Sequence, residues 1–496
     1  MQFISSPKKG FVPMRFIEGS LSRFSGSELF VATGQDAKAT PSKAKESPFK
    51  PEPLNRRKFI LQMRKVVSLA KQNRALNLDV DFKDIKSLAP AALSDFEIGE
   101  IAGCAFLMAD YEHNTFKKKP KEGFGNIEAI AIRNQSKEAK KGFSKGRVVA
   151  EEVNACRELS NTPGANMTPK ILASAAKKAV AGTKATVKIL SRAEMKRLGM
   201  GAVLAMAQGS AEEPQFITLE YWGKGKLRGD ARSQRQGVTL AQGSSRSHLS
   251  AAPLVLIGKG VTFDTGGLNV KGGEHMYEMH MDMSGGAAVI HAIALAAKLK
   301  LQVNVVGLVP AVENSVSGSA IHPGDIVKGL SQRTIEILNT DAEGRVILSD
   351  AITYAKRYDP AAVAEASTLT GAALVALGQQ YSAVLCEDET FRNRMIALGE
   401  ESGDYVWPMP MGEEFDGMVK GHFGDVPNIS TEGNSRYGGV IAGGMFLREF
   451  AKDLQCPFAH LDIAPRMTAA PNEFLAKGAA GAPVRLFLKL TESFQK

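Results

Sequence analysis

Cysteine is scarce in this 496-residue sequence, and what there is does not cluster. Cys104, Cys156, Cys386 and Cys456 show no CxxC spacing. That argues against a disulfide framework and a thiolate metal site, and makes a reducing compartment the default. Long apolar runs are missing as well. No stretch approaches the roughly 20 apolar residues of a membrane span. The most apolar one, 287–297, is too short and reads as a buried helix. The first sixteen residues hold basic side chains but no apolar stretch of signal-peptide length. The expectation is a cytoplasmic protein with no membrane attachment.

Hydrophobic residues at 44% and charged ones at 23% fit an ordinary globular protein. The length allows two or three domains. Charge is unevenly spread. The net charge is +10, and residues 1–150 carry about 27 Lys and Arg against about 16 Asp and Glu, so the remainder is near neutral. A basic first domain could meet acidic partners, nucleic acid among them. The lysine runs 117–119 and 140–141 lack interleaved aromatics and read instead as solvated surface.

The hydrophobic pattern suggests a strand at 30–32, a helix at 59–73, a strand at 76–82, a helix at 95–110 and a strand at 127–132. Alternation of this kind predicts a small N-terminal α/β domain over 1–141. Residues 38–53, rich in Lys, Ser and Pro, read as an exposed loop. A linker helix is expected over 142–160, broken at Asn161-Thr162-Pro163-Gly164. Thr168 as N-cap and Pro169 at the first helical position open the next helix. A larger domain then fills 161–496. Its strands are expected at 186–190, 215–221, 254–258, 301–310, 334–338, 362–369, 383–386 and 459–464, the last closing the sheet. The valine-rich 301–310 suits a parallel sheet buried on both faces. Residues 223–252, rich in Gly, Ser, Arg and Gln, read as a flexible loop. The fold class expected is α/β: the small first domain plus a larger α/β/α domain around a mixed, mostly parallel central sheet.

The chemistry concentrates in Asn339-Thr340-Asp341-Ala342-Glu343-Gly344-Arg345, between a strand and a helix predicted over 346–358. In open α/β sheets ligands bind at the carboxyl ends of strands. Asp341 and Glu343 are two apart, so in an extended segment both point the same way. Two like charges aimed at one spot need something positive between them: Arg345, a metal, or both. Solvated acids ahead of a helix are the alternative. Upstream, Lys259 ends an apolar strand and Asp264 lies in Thr262-Phe263-Asp264-Thr265-Gly266-Gly267. Lys271 follows, then Met279-His280-Met281-Asp282-Met283-Ser284-Gly285-Gly286. Four carboxylates with no cysteine and few histidines nearby suit oxygen-preferring divalent cations. They could hold two such ions about 3.5–4 Å apart.

These segments, and the spacings among Lys259, Asp264, Lys271, Asp282, Asp341, Glu343 and Arg345, resemble the leucyl aminopeptidase (cytosol aminopeptidase) family of two-metal exopeptidases. The resemblance runs from about residue 148 to the end. It implies an aminopeptidase releasing N-terminal residues, leucine and other neutral ones preferred, from peptides with a free N-terminus. A water or hydroxide bridging two divalent ions, Mn2+ or Zn2+, would be the nucleophile. By the same resemblance Asp264 and Glu343 bridge the ions, Lys259 and Asp282 complete one site, and Asp341 completes the other. Lys271 would donate to the developing oxyanion, and Arg345 would hold a bicarbonate that carries the proton. Met279, Thr368, Gly371, Ala464 and Met467 match the pocket for the substrate side chain. A homohexamer is implied too.

From the residues alone, Lys259 could instead pair with Asp264 or Asp282, Lys271 could balance surplus carboxylates, and Arg345 could pair with Asp341. His280 reads as a packed or supporting residue rather than a ligand. Two departures from the family are visible. Pro465-Arg466 stands where a glycine is common, which stiffens the rim and could bring a positive charge near the substrate. Residues 223–252 exceed the usual connection by roughly twenty residues, an insertion on the scale of a long loop. A dipeptidase for small peptides such as cysteinylglycine, or nucleic-acid binding through the basic first domain, are the competing functions.

Overall fold

The structure is a computed structural model that describes residues 1–17, 22–25, 27–33, 53–225, 252–432 and 437–495. The loops expected at 38–53 and 223–252 lie almost wholly outside these residues. The chain forms two compact units, one of residues 1–154 with 469–478, the other of 155–468 with 479–496. All four cysteines are free thiols.

The first unit is built on a six-stranded sheet. Its strands are β1 (Gln2–Ile4), β2 (Val12–Ile17), β3 (Arg23–Ser25), β4 (Glu28–Ala32), β5 (Asn77–Asp81) and β6 (Ala129–Arg133), in the order β1-β6-β5-β2-β4-β3. All neighbours are parallel except β3 and β4. Sequence pattern found β4, β5 and β6 but missed β1 and β3, of three residues each, and β2, whose run is interrupted by Pro13 and Arg15. Helices Arg56–Gln72 and Phe82–Leu88 pack on the sheet, and Asp95–Asp110 packs on the first of them. Arg56–Gln72 is capped by Asn55, and Asp95–Asp110 by a reciprocal Ser94–Glu97 capping box; each such cap is worth about 1 kcal/mol. Phe59, Met63, Val66, Leu78, Val80, Phe106 and Ile130 are buried between helices and sheet. Each contributes roughly 1.5–3 kcal/mol by leaving water. Lys117, Lys118, Lys119, Lys140 and Lys141 are exposed, and Lys141 pairs with Glu138 one helical turn away at 2.7 Å.

The second unit contains β7 (Thr186–Leu190), β8 (Gln215–Trp222), β9 (Leu254–Gly258), β10 (Gly260–Asp264), β11 (Asn304–Asn314), β12 (Ile326–Lys328), β13 (Thr334–Glu336), β14 (Ala362–Ser367), β15 (Ser382–Leu385), β16 (Val406–Pro408), β17 (Val426–Pro427) and β18 (Phe458–Asp462). The main sheet runs β16-β15-β18-β14-β9-β11-β8-β7, with β10 also on β11. The β9, β11, β14 and β18 core is parallel, while β8, β7 and the β15–β18 pair run antiparallel. The sheet is therefore mixed and mostly parallel. Helix Ser284–Lys298 packs on β9 and β11 and is buried from Ser284 to Ala297, as its apolar residues on all sides require.

Three expectations need correction. The strand over 459–464 does not close the sheet: β18 lies inside it, between β14 and β15. The strand ahead of the 339–345 motif, β13, belongs to a separate three-stranded sheet, β12-β13-β17. And the helix after that motif starts at Glu343, not at Val346.

Candidate active site

Lys259 follows the end of β9, as expected, and precedes β10. Its Nζ lies 2.8 Å from both oxygens of Asp282 and 2.7 Å from Glu343 Oε1, and donates to the Thr368 carbonyl at 3.2 Å. Asp264 closes β10. Its Oδ2 meets Lys271 Nζ at 2.8 Å, and Lys271 also pairs closely with Asp341 Oδ1. Oxygens of Asp264, Asp341 and Glu343 come within 4.8 Å of one another. Asp341 and Glu343 converge because the chain turns into a helix between them, with Glu343 as its first residue, and not because they share one extended segment. The two lysines each satisfy the pairings that residue chemistry alone allowed.

Asparagines and a threonine hold this cluster. Asn314, at the end of β11, donates to Asp264 Oδ1 at 2.8 Å and to the Thr340 carbonyl at 3.0 Å. Thr340 Oγ1 donates to the Gly266 carbonyl at 2.6 Å, tying the Asp264 loop to the 339–345 turn. The Thr368 hydroxyl donates to Asp282 Oδ1 at 2.6 Å. Helix Ser284–Lys298 comes unusually close to the sheet here: a Cβ on Gly285 would lie 2.1 Å from the Ala366 carbonyl oxygen, so only glycine fits.

Burial works against the carboxylates. It pushes the Glu343 and Asp282 carboxyls well above the usual range, and neighbouring Asp264 adds to the rise in both, while Lys259 opposes it. Asp341 is raised by burial as well. Burial would lower the two lysines, but the surrounding acids win and hold both ammoniums above their ordinary value. Four carboxylates face two ammoniums, so negative charge is in excess. Asp282 Oδ2, Asp341 Oδ1 and Glu343 Oε1 are buried and accept no hydrogen bond, with only lysine ammoniums against them. Hard oxygen donors in this state fit divalent cations.

Arg345 does not pair with Asp341. Its Nη1 donates to the Asn428 carbonyl at 3.0 Å, and Glu343 and Asp462 supply opposing charge. Burial lowers its pKa to about 10, still protonated at neutral pH. Of the residues expected around the substrate side chain, Thr368 touches the carboxylate–lysine cluster and Gly371 opens helix Gly371–Leu377. That helix packs on the turn Ala464–Arg466, which Met467 follows. Met279 opens the turn Met279–Met281, packed on β10. Arg466 is buried and donates to the Gln379 carbonyl at 2.6 Å. Sequence reading missed Asn314, Asn428 and Asp462 as supporting residues. Asn314 alone carried a signal, as a polar residue ending a long buried strand.

A mixed α/β sheet beside a buried cluster of carboxylates and lysines is an arrangement able to hold divalent cations. A model of the catalytic domain of the cytosol aminopeptidase family matches residues 154–488, and the chain belongs to that family. It is an aminopeptidase-type hydrolase of peptides, with divalent metal cofactors. A probable cytosol aminopeptidase of Methylibium petroleiphilum is 40% identical over 376 residues, 76% of this chain and 71% of that protein. One of Roseiflexus castenholzii is 36% identical over 439 residues, 86% and 83% of the two chains. Among solved structures, a mutant of tomato leucine aminopeptidase has a TM-score of 0.77 at 26% identity, over 98% of this chain and 84% of that one. The bottromycin maturation enzyme BotP in complex with Mn is similar in fold, with a TM-score of 0.79 at 24% identity over 98% and 100% of the chains. No helix among the described residues is long and apolar enough to cross a membrane.

Proposed function

We propose that the second unit removes leucine and other neutral residues from the N-termini of peptides, in the cytoplasm, as a homohexamer. The observation that supports this most is the meeting of Asp264, Asp341 and Glu343 oxygens within 4.8 Å, beside Asp282 and two lysines. Asp264 and Glu343 would hold two ions jointly, Lys259 and Asp282 one of them, Asp341 the other. Bound there, the ions would supply a water that loses its proton near neutral pH and would polarise the scissile carbonyl. The manganese complex of BotP makes Mn2+ the first ion to try, and Zn2+ the second.

The chain's own residues do the remaining work. Lys259 would shed its proton to serve as a ligand, since an ammonium has no lone pair to give. Asp282 would receive the substrate's free α-amine, which restricts the enzyme to N-terminal residues. Lys271, held by Asp264 and Asp341, would donate to the oxyanion as it forms. Arg345 cannot be a base. Its guanidinium and the adjoining helix N-terminus would hold a bicarbonate that moves the proton. Met279, Thr368, Gly371, Ala464 and Met467 would line the side-chain pocket, small and apolar enough for leucine or methionine. The test is hydrolysis of leucine p-nitroanilide by chelator-stripped protein, then by protein reloaded with Mn2+ or Zn2+. Folded, reloaded protein that fails to turn over would refute the reading.

A further inference from the structure

Asp462 is fully buried at the carboxyl end of β18, and a buried carboxylate is tolerated only when its oxygens are satisfied. Its Oδ1 accepts from the backbone N–H groups of Leu369 at 3.1 Å and Ala464 at 3.2 Å. Its Oδ2 accepts from the Thr370 hydroxyl at 2.6 Å. Leu369 and Thr370 follow β14, and Ala464 follows β18 itself. One side chain thus joins the loops that leave two adjacent parallel strands. The linkage extends further. Thr370 Oγ1 also caps helix Gly371–Leu377 by accepting from the Ala373 N–H at 3.3 Å. On the other side, Thr368 is tied to Asp282 and Lys259. The four residues from Thr368 to Gly371 are therefore pinned at one end by the carboxylate–lysine cluster and at the other by Asp462.

We propose that Asp462 is a positioning residue that sets the shape of the substrate side-chain pocket by clamping the loop after β14 to the loop after β18. This rests on the aminopeptidase reading, in which Thr368, Gly371, Ala464 and Met467 form that pocket. Asp462 acts through its neighbours: by accepting from Leu369, Thr370 and Ala464 it would fix the distance between the pocket's walls. A longer side chain such as leucine makes more contact with such walls than alanine does, so the clamp would act on discrimination between the two.

The experiment compares wild type, Asp462→Ala and Asp462→Asn. The asparagine keeps an oxygen for the two backbone N–H groups and offers an amide to Thr370. Hydrogen–deuterium exchange at residues 369–373 and 463–467 should speed up in Asp462→Ala and stay near wild type in Asp462→Asn. With Mn2+-loaded protein, the leucyl-to-alanyl ratio of kcat/KM for p-nitroanilides should fall about tenfold in Asp462→Ala, through KM more than kcat, and recover in Asp462→Asn. Unchanged exchange in both segments, or an unchanged ratio, overturns the proposal. Should Asp462→Ala fail to fold, Thr370→Val serves: it should loosen 370–373 and lower the ratio while leaving 463–467 protected, and protection at 370–373 would overturn the clamp. Wild type without turnover would refute the aminopeptidase reading, while the exchange pattern would still decide the clamp.

Discussion

Lys259 and Gly344 are in such close register that a Cβ on the glycine would lie 2.7 Å from the lysine Cε. The glycine next to Glu343 leaves the space through which the lysine tail reaches Glu343 and Asp282. Gly344→Ala should therefore cost about 1–3 kcal/mol by overpacking. The larger effect should be on turnover, about a hundredfold, because the Lys259 amine moves out of place. Chemical denaturation and kcat/KM on leucine p-nitroanilide measure the two. Wild-type turnover in a folded Gly344→Ala protein would rule out a demanding role for Lys259.

Asp282→Ala and Glu343→Ala should each abolish activity. The loss should exceed the roughly 10–100-fold typical of residues that only support ligands. Bound Mn2+ or Zn2+, measured by atomic emission, should fall in parallel. Each change leaves Lys259 paired with the other carboxylate and relieves part of the acid repulsion, so the metal-free protein should stay folded while metal binding is lost. Near-normal turnover in either variant would remove it from the ligand set.

Lys271→Ala should lower kcat by about 10²–10³-fold with little change in KM, the signature of a donor used only as the oxyanion forms. Metal content should persist. A change confined to KM would assign Lys271 to substrate binding.

Asp350 offers a test of pH dependence away from the cluster. It is fully buried in helix Glu343–Ala355, and its two oxygens accept from the backbone N–H groups of Val203 at 3.0 Å and Leu330 at 2.7 Å. Burial pushes its carboxyl up to about 7, against those hydrogen bonds. The unfolded value is near the ordinary ~3.9. The folded pKa is the higher one, so the unfolded state releases its proton first and stability falls as pH rises from about 4 to about 7. Measured against Asp350→Asn, which does not titrate, wild type should lose stability over that window and level off above it. Denaturation at pH 5 and pH 8 decides. The opposite slope would mean that the Val203 and Leu330 N–H groups outweigh burial.

The candidate site was unusually legible because its acids and lysines sit in three short segments with rigid spacing. Asp264, Asp282, Asp341 and Glu343 could be picked out before any geometry. What holds them could not. Asn428 acts on Arg345 from 83 residues away through its carbonyl, and Asp462 joins loops about 92 residues apart. Neither residue type nor local spacing marks such a role. Strands of the second unit such as 186–190 and 254–258 were read from their pattern alone. Their order was not, since a local pattern says nothing about which strand slots beside which. Arg466 shows the same limit: its charge was visible, but not that Gln379 would engage it inside the protein.

The placement of β18 bears on how the sheet is completed. Both strands that flank the slot, β14 and β15, come earlier in the chain than residues 458–462, which insert between them. Asp462 is the last residue of the strand that fills the gap. The pocket proposed between the loops that follow β14 and β18 therefore needs a strand that comes more than ninety residues after its first wall.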